Sequence, residues 1–234
     1  MPTSKSFRTK FQDYLLQVSL IVLGLAIATS VDRCNTARRN EAKLLDYYRA
    51  IRADIRADAY SNTLNIADAR NDVTDLDAAL RLLPQPGPDS LTTGLRRLRR
   101  VLLKGVFRTF SPSTFDLMAA NGDQALIRDL RVRNQLSDAF AFRNDILADD
   151  LRLYNQEVRR TLNALSAHLE LRCFLTGPQD PSCLDEPTPL RPTDLDPVLE
   201  LQLTAHSRLY HLDIGNELMT ETGRLVDSLI RQLE

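Results

Sequence analysis

Tryptophan is absent from these 234 residues, glycine occurs eight times and cysteine and histidine three times each. Each shortage removes a class of protein. So few glycines leave little provision for the repeated tight turns of an all-β fold. Cys34, Cys173 and Cys183 lack the closely spaced pairs of a structural zinc site. His206 and His211 stand about 140° apart around a helix, which makes them poor joint ligands, and His168 is isolated from both. The chain has no Glu-x-x-His, His-Glu-x-x-His or Cys-x-x-Cys-His motif, no Gly-x-Ser-x-Gly elbow and no glycine-rich phosphate loop. Asp149 and Asp150 are adjacent in a helical pattern, about 100° apart, and read as a solvated face rather than a proton-sharing dyad. With a net charge of -1 and 26% charged residues, composition suggests neither disorder nor a global affinity for polyanions. No catalytic residue, metal ligand, cofactor or nucleic-acid partner is expected, and the chain reads as non-enzymatic.

What the sequence does contain is helix former and one apolar run. The Ala-, Leu- and Arg-rich composition predicts an all-α fold. "YLLQVSLIVLGLAIATSV", residues 14–31, measures about 27 Å as a helix, close to a bilayer's hydrocarbon core. A signal peptide is the competing reading, with Lys5, Arg8 and Lys10 before the run and Ala26 and Ala28 in an Ala-x-Ala arrangement. The length of the run favours an uncleaved anchor, as does "DRCNTARRNEAKLLDYY" beyond it, which holds no Pro or Gly to stop a helix. The expected order is a cytoplasmic tail over 1–13, a transmembrane helix over 14–31 and an extramembrane, periplasmic bundle over 32–234. Small residues at Ser19, Gly24, Thr29 and Ser30 would admit a neighbouring membrane helix, and Gln17 could hydrogen-bond to it, so Gln17, Ser19 and Gly24 are candidate contacts. A span surrounded by lipid alone is the other reading.

Basic residues flank the run on both sides, so charge counting does not orient it. Cys173 and Cys183 bracket "FLTGPQDPS", a turn-rich segment that could bring them to disulfide distance; the alternative is two thiols. A disulfide places the domain in an oxidising compartment, with the N-terminus cytoplasmic and the bundle periplasmic at a bacterial inner membrane. Cys34 reads as a free thiol.

Apolar positions from Leu44 to Leu83 recur at helical steps and predict one long amphipathic helix ended by "PQPGPDS". A second helix, about Leu91 to Phe107, turns Leu91, Leu95, Leu98 and Leu102 inward, with Gly94 costing it about 1 kcal/mol relative to Ala. "SPSTFDLMAANG" predicts a short helix capped by Ser111 or Ser113 and stopped at Asn121-Gly122. A long helical stretch to about Leu175 follows, bent near Asp129, then a Pro-rich surface loop over 177–197. A last helix starts at Asp196-Pro197 with Leu203, Leu209, Leu212, Leu218, Leu225, Leu229 and Leu233 toward the core. An up-and-down bundle of long antiparallel helices is the expected packing.

Three segments, "DYLLQVSLIVLGLAIATSVDRCN", "LLDYYRAIRADIRAD" and "TFDLMAANGDQALIRDLRVRNQLSDAF", resemble a bacterial family of uncharacterised proteins with one N-terminal membrane helix running into a helical domain. Phe115, Leu117, Gly122, Leu126, Ile127, Leu130 and Leu136 stand at the family's positions. The resemblance spans about two thirds of the chain, departs where members carry a Trp among Asn residues and this chain has "DRCN", and implies an anchored helical domain without catalytic residues.

The sharpest charge feature is "RRLRRVLLKGVFR", in which Arg96, Arg97, Arg100, Lys104 and Arg108 form a basic stripe. It reads either as a lipid or partner patch or as a face neutralised by Asp68, Asp72 and Asp75. The role expected is a structural or accessory subunit that docks on a larger bacterial membrane complex, of photosynthetic or respiratory type, with the lipid bilayer and other membrane subunits as partners. The alternative is a periplasmic sensor or ligand-binding bundle that signals through a partner.

Overall fold

The computed structural model describes residues 5–104, 112–168 and 190–234, and among these there is no strand. Six helices account for nearly all of them. Helix α1 runs unbroken from Lys5 to Leu82, 78 residues and about 117 Å. No Pro or Gly interrupts it after Gly24, which is why the apolar run, the segment that follows it and the first bundle helix form a single rod, and most of the expected tail is already helical. A sharp turn at Gly87, φ +126°, leads into α2, Pro88–Lys104. Pro88 starts α2 instead of separating it from α1, since a first-turn residue needs no N–H partner. Helix α3, Thr114–Ala120, is capped by Ser113 and followed by Gly122 at φ +74°, the left-handed position that stops it.

A 3-10 turn, Asp123–Leu126, precedes α4, Leu130–Ala141, whose N-cap is Asp129. The expected bend near Asp129 is therefore a break. A π-helical segment, Phe142–Leu147, joins α4 to α5, Ala148–Leu165, and α6 runs from Asp196 to Leu233. Ion pairs fix the directions. Arg97 meets Asp75 and Lys104 meets Asp68, so α2 descends along α1. Arg49 meets Glu234 and Arg70 meets Asp213, so α6 also runs against α1. Arg160 on Glu200 and His211 on Asp150 together set α5 antiparallel to α6. The result is an up-down-up-down bundle in which α2 and α3 together make the second pass.

The last leg corrects two expectations. Residues 190–197 are not surface loop: Leu190 and Leu195 are buried, Leu190 N–H donates to Leu83 O at 3.2 Å, and Pro192–Leu195 forms a 3-10 turn that feeds α6. Residues 177–189 of the expected loop lie outside the described residues. On α6, Leu203 is 62% exposed, while Val198, Leu201, Ala205, Met219, Val226 and Ile230 fill the core. The leucines at 209, 218, 225 and 229 flank this line and are only partly buried. Gly223 lies against α1, where an added Cβ would stand 3.3 Å from Ile55 Cγ2. On the third pass Leu130 is likewise exposed.

The core falls into three apolar clusters stacked along α1. Tyr48, Ile51 and Ile55 belong to the lowest, with Phe115, Leu136, Phe140 and Val226. Ile66 and Ala69 belong to a small middle cluster with Leu147 and Leu212. Leu76, Ala79 and Leu83 belong to the highest, with Leu95, Leu98, Tyr154 and Leu201. Between them α1 presents buried polar groups, Asn62 at one level and Asp72 and Asp75 at the other.

Candidate functional site

The apolar run of α1 is long and apolar enough to cross a membrane, and none of it is buried in the molecule. Its hydroxyls are satisfied within the helix: Thr29 donates to Leu25 O and Ala26 O at 2.9 and 3.0 Å, and Ser30 to Ala26 O at 2.7 Å. Such back-bonding lowers the cost of placing hydroxyls in hydrocarbon and withdraws them as donors to a neighbour. Gln17, Ser19 and Gly24 are all exposed. Gln17 and Gly24 lie within about 20° of each other around the helix, whereas Ser19 is about 140° or more from both. The three sequence candidates thus divide between two faces.

Residues 32–43 are exposed on every side and form a stalk about 18 Å long between the apolar run and the bundle. Cys34 is exposed on it. Where the stalk enters the bundle, Lys43 and Tyr47 both bind Asp123, Lys43 at 2.8 Å. Those hydrogen bonds hold the Asp123 carboxyl below the usual carboxylate range. A shallow cleft of about 290 Å³ lies beside this junction, between Asn40 and Glu41 of the stalk, Leu126, Arg128 and Leu233.

Three residues of the basic stripe pair with carboxylates of α1. Arg97 and Arg100 share Asp75 Oδ1 at 2.7 and 3.1 Å, and Lys104 bridges Asp68 and Asp72 at 2.9 and 3.4 Å. Arg96 is exposed, and Arg108 lies outside the described residues. The level of Asp68 to Asp75 is roughly 55 to 65 Å along α1 from Val31, beyond the reach of an arginine from the headgroups of the membrane that α1 would cross. The ion pairs are those of the neutralised face.

Two polar layers were not anticipated as such. In the upper one Tyr154 donates to Asp72 Oδ2 at 2.9 Å, and Arg208 stacks over the Tyr154 ring at 4.8 Å with Nη1 3.6 Å from Asp72. Burial pushes the Asp72 carboxyl up, outweighing the pull of Lys104, Tyr154 and Arg208, and it also holds the Tyr154 phenol protonated. In the lower one Arg143, on the π-helical segment, pairs with Asp58 at 2.7 Å and donates to Asn144. Asn144 in turn donates to Asp116, the carboxylate that closes the capping box of α3. Burial raises Asp116, but hydrogen bonds from Ser113 and Asn144 and the charge of Arg143 together lower it. The signal was in the sequence: Arg208 falls between Leu201 and Leu212 and Arg143 between Phe140 and Leu147, at core-facing steps.

The remaining candidates are structural. His211 binds Asp150 at 2.6 Å between α5 and α6, with its ring edge-on to Phe142, so Asp150 is an interhelical anchor and not part of a solvated face. Asp149 is exposed beside Arg152. His168 lies 3.8 Å from Asp194, and His206 is exposed. Among the described residues no three His, Cys, Asp or Glu are grouped to hold a metal ion. Cys173 and Cys183, the expected disulfide, lie outside the described residues. No protein-family model matches the chain, and neither a curated protein nor a solved structure matches it.

Proposed function

We propose that this chain is a non-enzymatic single-span membrane protein that acts as a structural or accessory subunit, docking on a larger bacterial membrane complex and bracing it with its bundle. The observation that carries the reading is the uninterrupted α1. A fully exposed apolar segment at one end of a rigid helix, with the bundle's spine at the other, fixes the bundle at a set height and orientation above the bilayer. The span carries Gln17 and Gly24 where another membrane helix can approach. The domain is placed in the periplasm and the N-terminus in the cytoplasm of a single-pass inner-membrane protein.

Purification of the full chain from native membranes in mild detergent tests the docking. Other membrane subunits in fixed ratio are expected; recovery of this chain alone would defeat the subunit reading. Topology is read from Cys34, exposed just beyond the span. In a chain with Cys173→Ser and Cys183→Ser, an impermeant maleimide added to spheroplasts is expected to label Cys34, with that label lost when Cys34→Ser is added. Labelling only after the membrane is opened would reverse the orientation.

A further inference from the structure

Between the apolar run and the bundle, α1 carries three arginines that the fold does not use. Arg33, Arg38 and Arg39 are exposed and have no carboxylate partner among the described residues, whereas Lys43, one turn higher, is held by Asp123. At 100° per residue the three stand about 100°, 120° and 140° apart, so they ring the helix and do not share a face. A protein surface laid against one side of the rod would leave part of this collar uncovered. A lipid layer around the rod meets all of it.

The height of the collar follows from the unbroken helix. Counted from Val31, the Cα atoms of Arg33, Arg38 and Arg39 lie about 3, 10 and 12 Å farther along α1. Every Cα–Cβ bond of a helix tilts toward its N-terminus, which on α1 is the side of the apolar run, so Arg38 and Arg39 lean back with about 6 Å of side chain. With the run filling the hydrocarbon core, their guanidinium groups come down to the headgroup layer, about 5 to 7 Å deep on each face of a bilayer, within which Arg33 already starts.

We infer that this collar grips the phosphate groups of anionic lipid headgroups on all sides of α1. The inference rests on the reading of α1 as a membrane span and names the lipid that the span favours. A guanidinium presents forked N–H donors that match two oxygens of one phosphate, with charge assistance. Asp32 and Glu41 leave residues 32–41 a net charge of only +1, so the preference arises at individual phosphates and not from bulk charge. A headgroup without an ammonium, such as that of phosphatidylglycerol, brings its phosphate to an arginine without bringing a cation alongside. Held on three sides at headgroup level, the rod resists sinking and tilting, and the lipid fixes the depth from which α1 sets the height of the bundle. The basic stripe of α2 does not compete for this role, because its cations are paired with Asp68, Asp72 and Asp75 far along α1.

Flotation and native mass spectrometry of the full chain test this. The chain is reconstituted in vesicles of equal parts phosphatidylglycerol and phosphatidylcholine, floated on a density gradient, released in mild detergent and weighed with its retained lipid. An arginine close to an anionic surface is worth about fivefold in binding, so the parent is expected to retain phosphatidylglycerol over phosphatidylcholine at least tenfold. Arg33→Gln, Arg38→Gln and Arg39→Gln combined should bring that ratio to within about twofold of unity, with flotation and helical circular dichroism unchanged. Arg96→Gln, exposed on α2, should leave the ratio as in the parent. A parent that retains the two lipids equally, or a triple variant with the parent's ratio, would overturn the collar while the membrane reading stands. A chain that fails to float would remove the membrane reading and the collar together. Subunits lost from the triple variant purified from native membranes, with its lipid ratio unchanged, would assign the arginines to a protein partner and overturn the lipid assignment.

Discussion

Replacing Asp72 by alanine is expected to destabilise the bundle by about 3 to 5 kcal/mol, because it strands a buried cation. Asp72 and Arg208 are both 4% exposed, and Asp72 also accepts the hydrogen bond of the fully buried Tyr154 hydroxyl. Lys104 keeps Asp68 at 2.9 Å, but Arg208 Nη1 has Asp72 as its counter-charge, already at 3.6 Å and beyond a hydrogen bond. For a domain of this size each kcal/mol moves the midpoint by about 2 to 4 °C, so thermal unfolding of the detergent-solubilised full chain should fall by about 6 to 20 °C. The same reasoning makes a second forecast. Asp72→Leu, Tyr154→Phe and Arg208→Met together remove both charges and the orphaned hydroxyl, and should return stability to within about 2 kcal/mol of the parent or above it. Circular dichroism at the helical band reads both variants. An Asp72→Ala midpoint within about 2 °C of the parent, or a triple variant as unstable as the single one, would refute the account of this layer.

Gly94→Ala should destabilise despite its gain in helix propensity of about 1 kcal/mol. The new Cβ would lie 2.9 Å from Leu83 Cγ and 3.3 Å from Leu82 Cβ, and relieving that overlap costs about 1 to 3 kcal/mol, so a net loss or near-neutrality in thermal unfolding is expected and a clear gain is not. Asp116→Asn should cost about 1 kcal/mol at pH 7 by weakening the α3 cap. Since the folded Asp116 pKa is depressed, that contribution is present above the unfolded carboxylate value and fades as pH falls through the folded one. The gap between variant and parent should therefore begin to narrow below about pH 4, as checked by unfolding midpoints at pH 7 and pH 3.

How much of this was legible beforehand depended on whether local chemistry or tertiary contact decided the position. The four leucines of α2, the Ser113 cap and the Gly122 stop were readable because each is settled within a few residues, and all three are found as expected. The phase of α6 was legible in part: Leu212 is buried and Leu209, Leu218, Leu225 and Leu229 pack against the core, but Leu203 and Leu233 are exposed. The centre belongs to Val198, Ala205, Gly215 and Val226, where a bulkier residue would hold α6 off α1 and the π-helical segment. A Cβ at Gly215 would meet Leu147 at 3.1 Å and Phe142 at 3.2 Å, so the widened π turn has room only because α6 carries glycine opposite it. That pairing is written in two distant segments and has no local signature. Gly94 was readable as a cost to α2, but its purpose, admitting Leu83, shows only in the packed pair. The basic stripe left two readings open because pairing across a turn depends on register, which the ion pairs to Asp68, Asp72 and Asp75 now supply.

Register also bears on the choice between a brace and a sensor. Each polar layer ties α1 to other helices: Asp72 to α2, α5 and α6 through Lys104, Tyr154 and Arg208, and Asp58 to the π-helical segment, with Asn144 linking on to α3. Sliding α6 by one turn, about 5.4 Å, would carry Arg208 off Asp72 toward the levels of Asp68 or Asp75, whose carboxylates are already paired with Lys104 and with Arg97 and Arg100. Breaking one such buried pair costs about 3 to 5 kcal/mol, against the 1 to 3 kcal/mol through which allosteric sites typically couple. A sensor that worked by sliding its helices would have to pay that penalty at each signal. A brace would gain from it, because the same layers that forbid sliding would hold every helix at a constant height above a membrane crossed by α1.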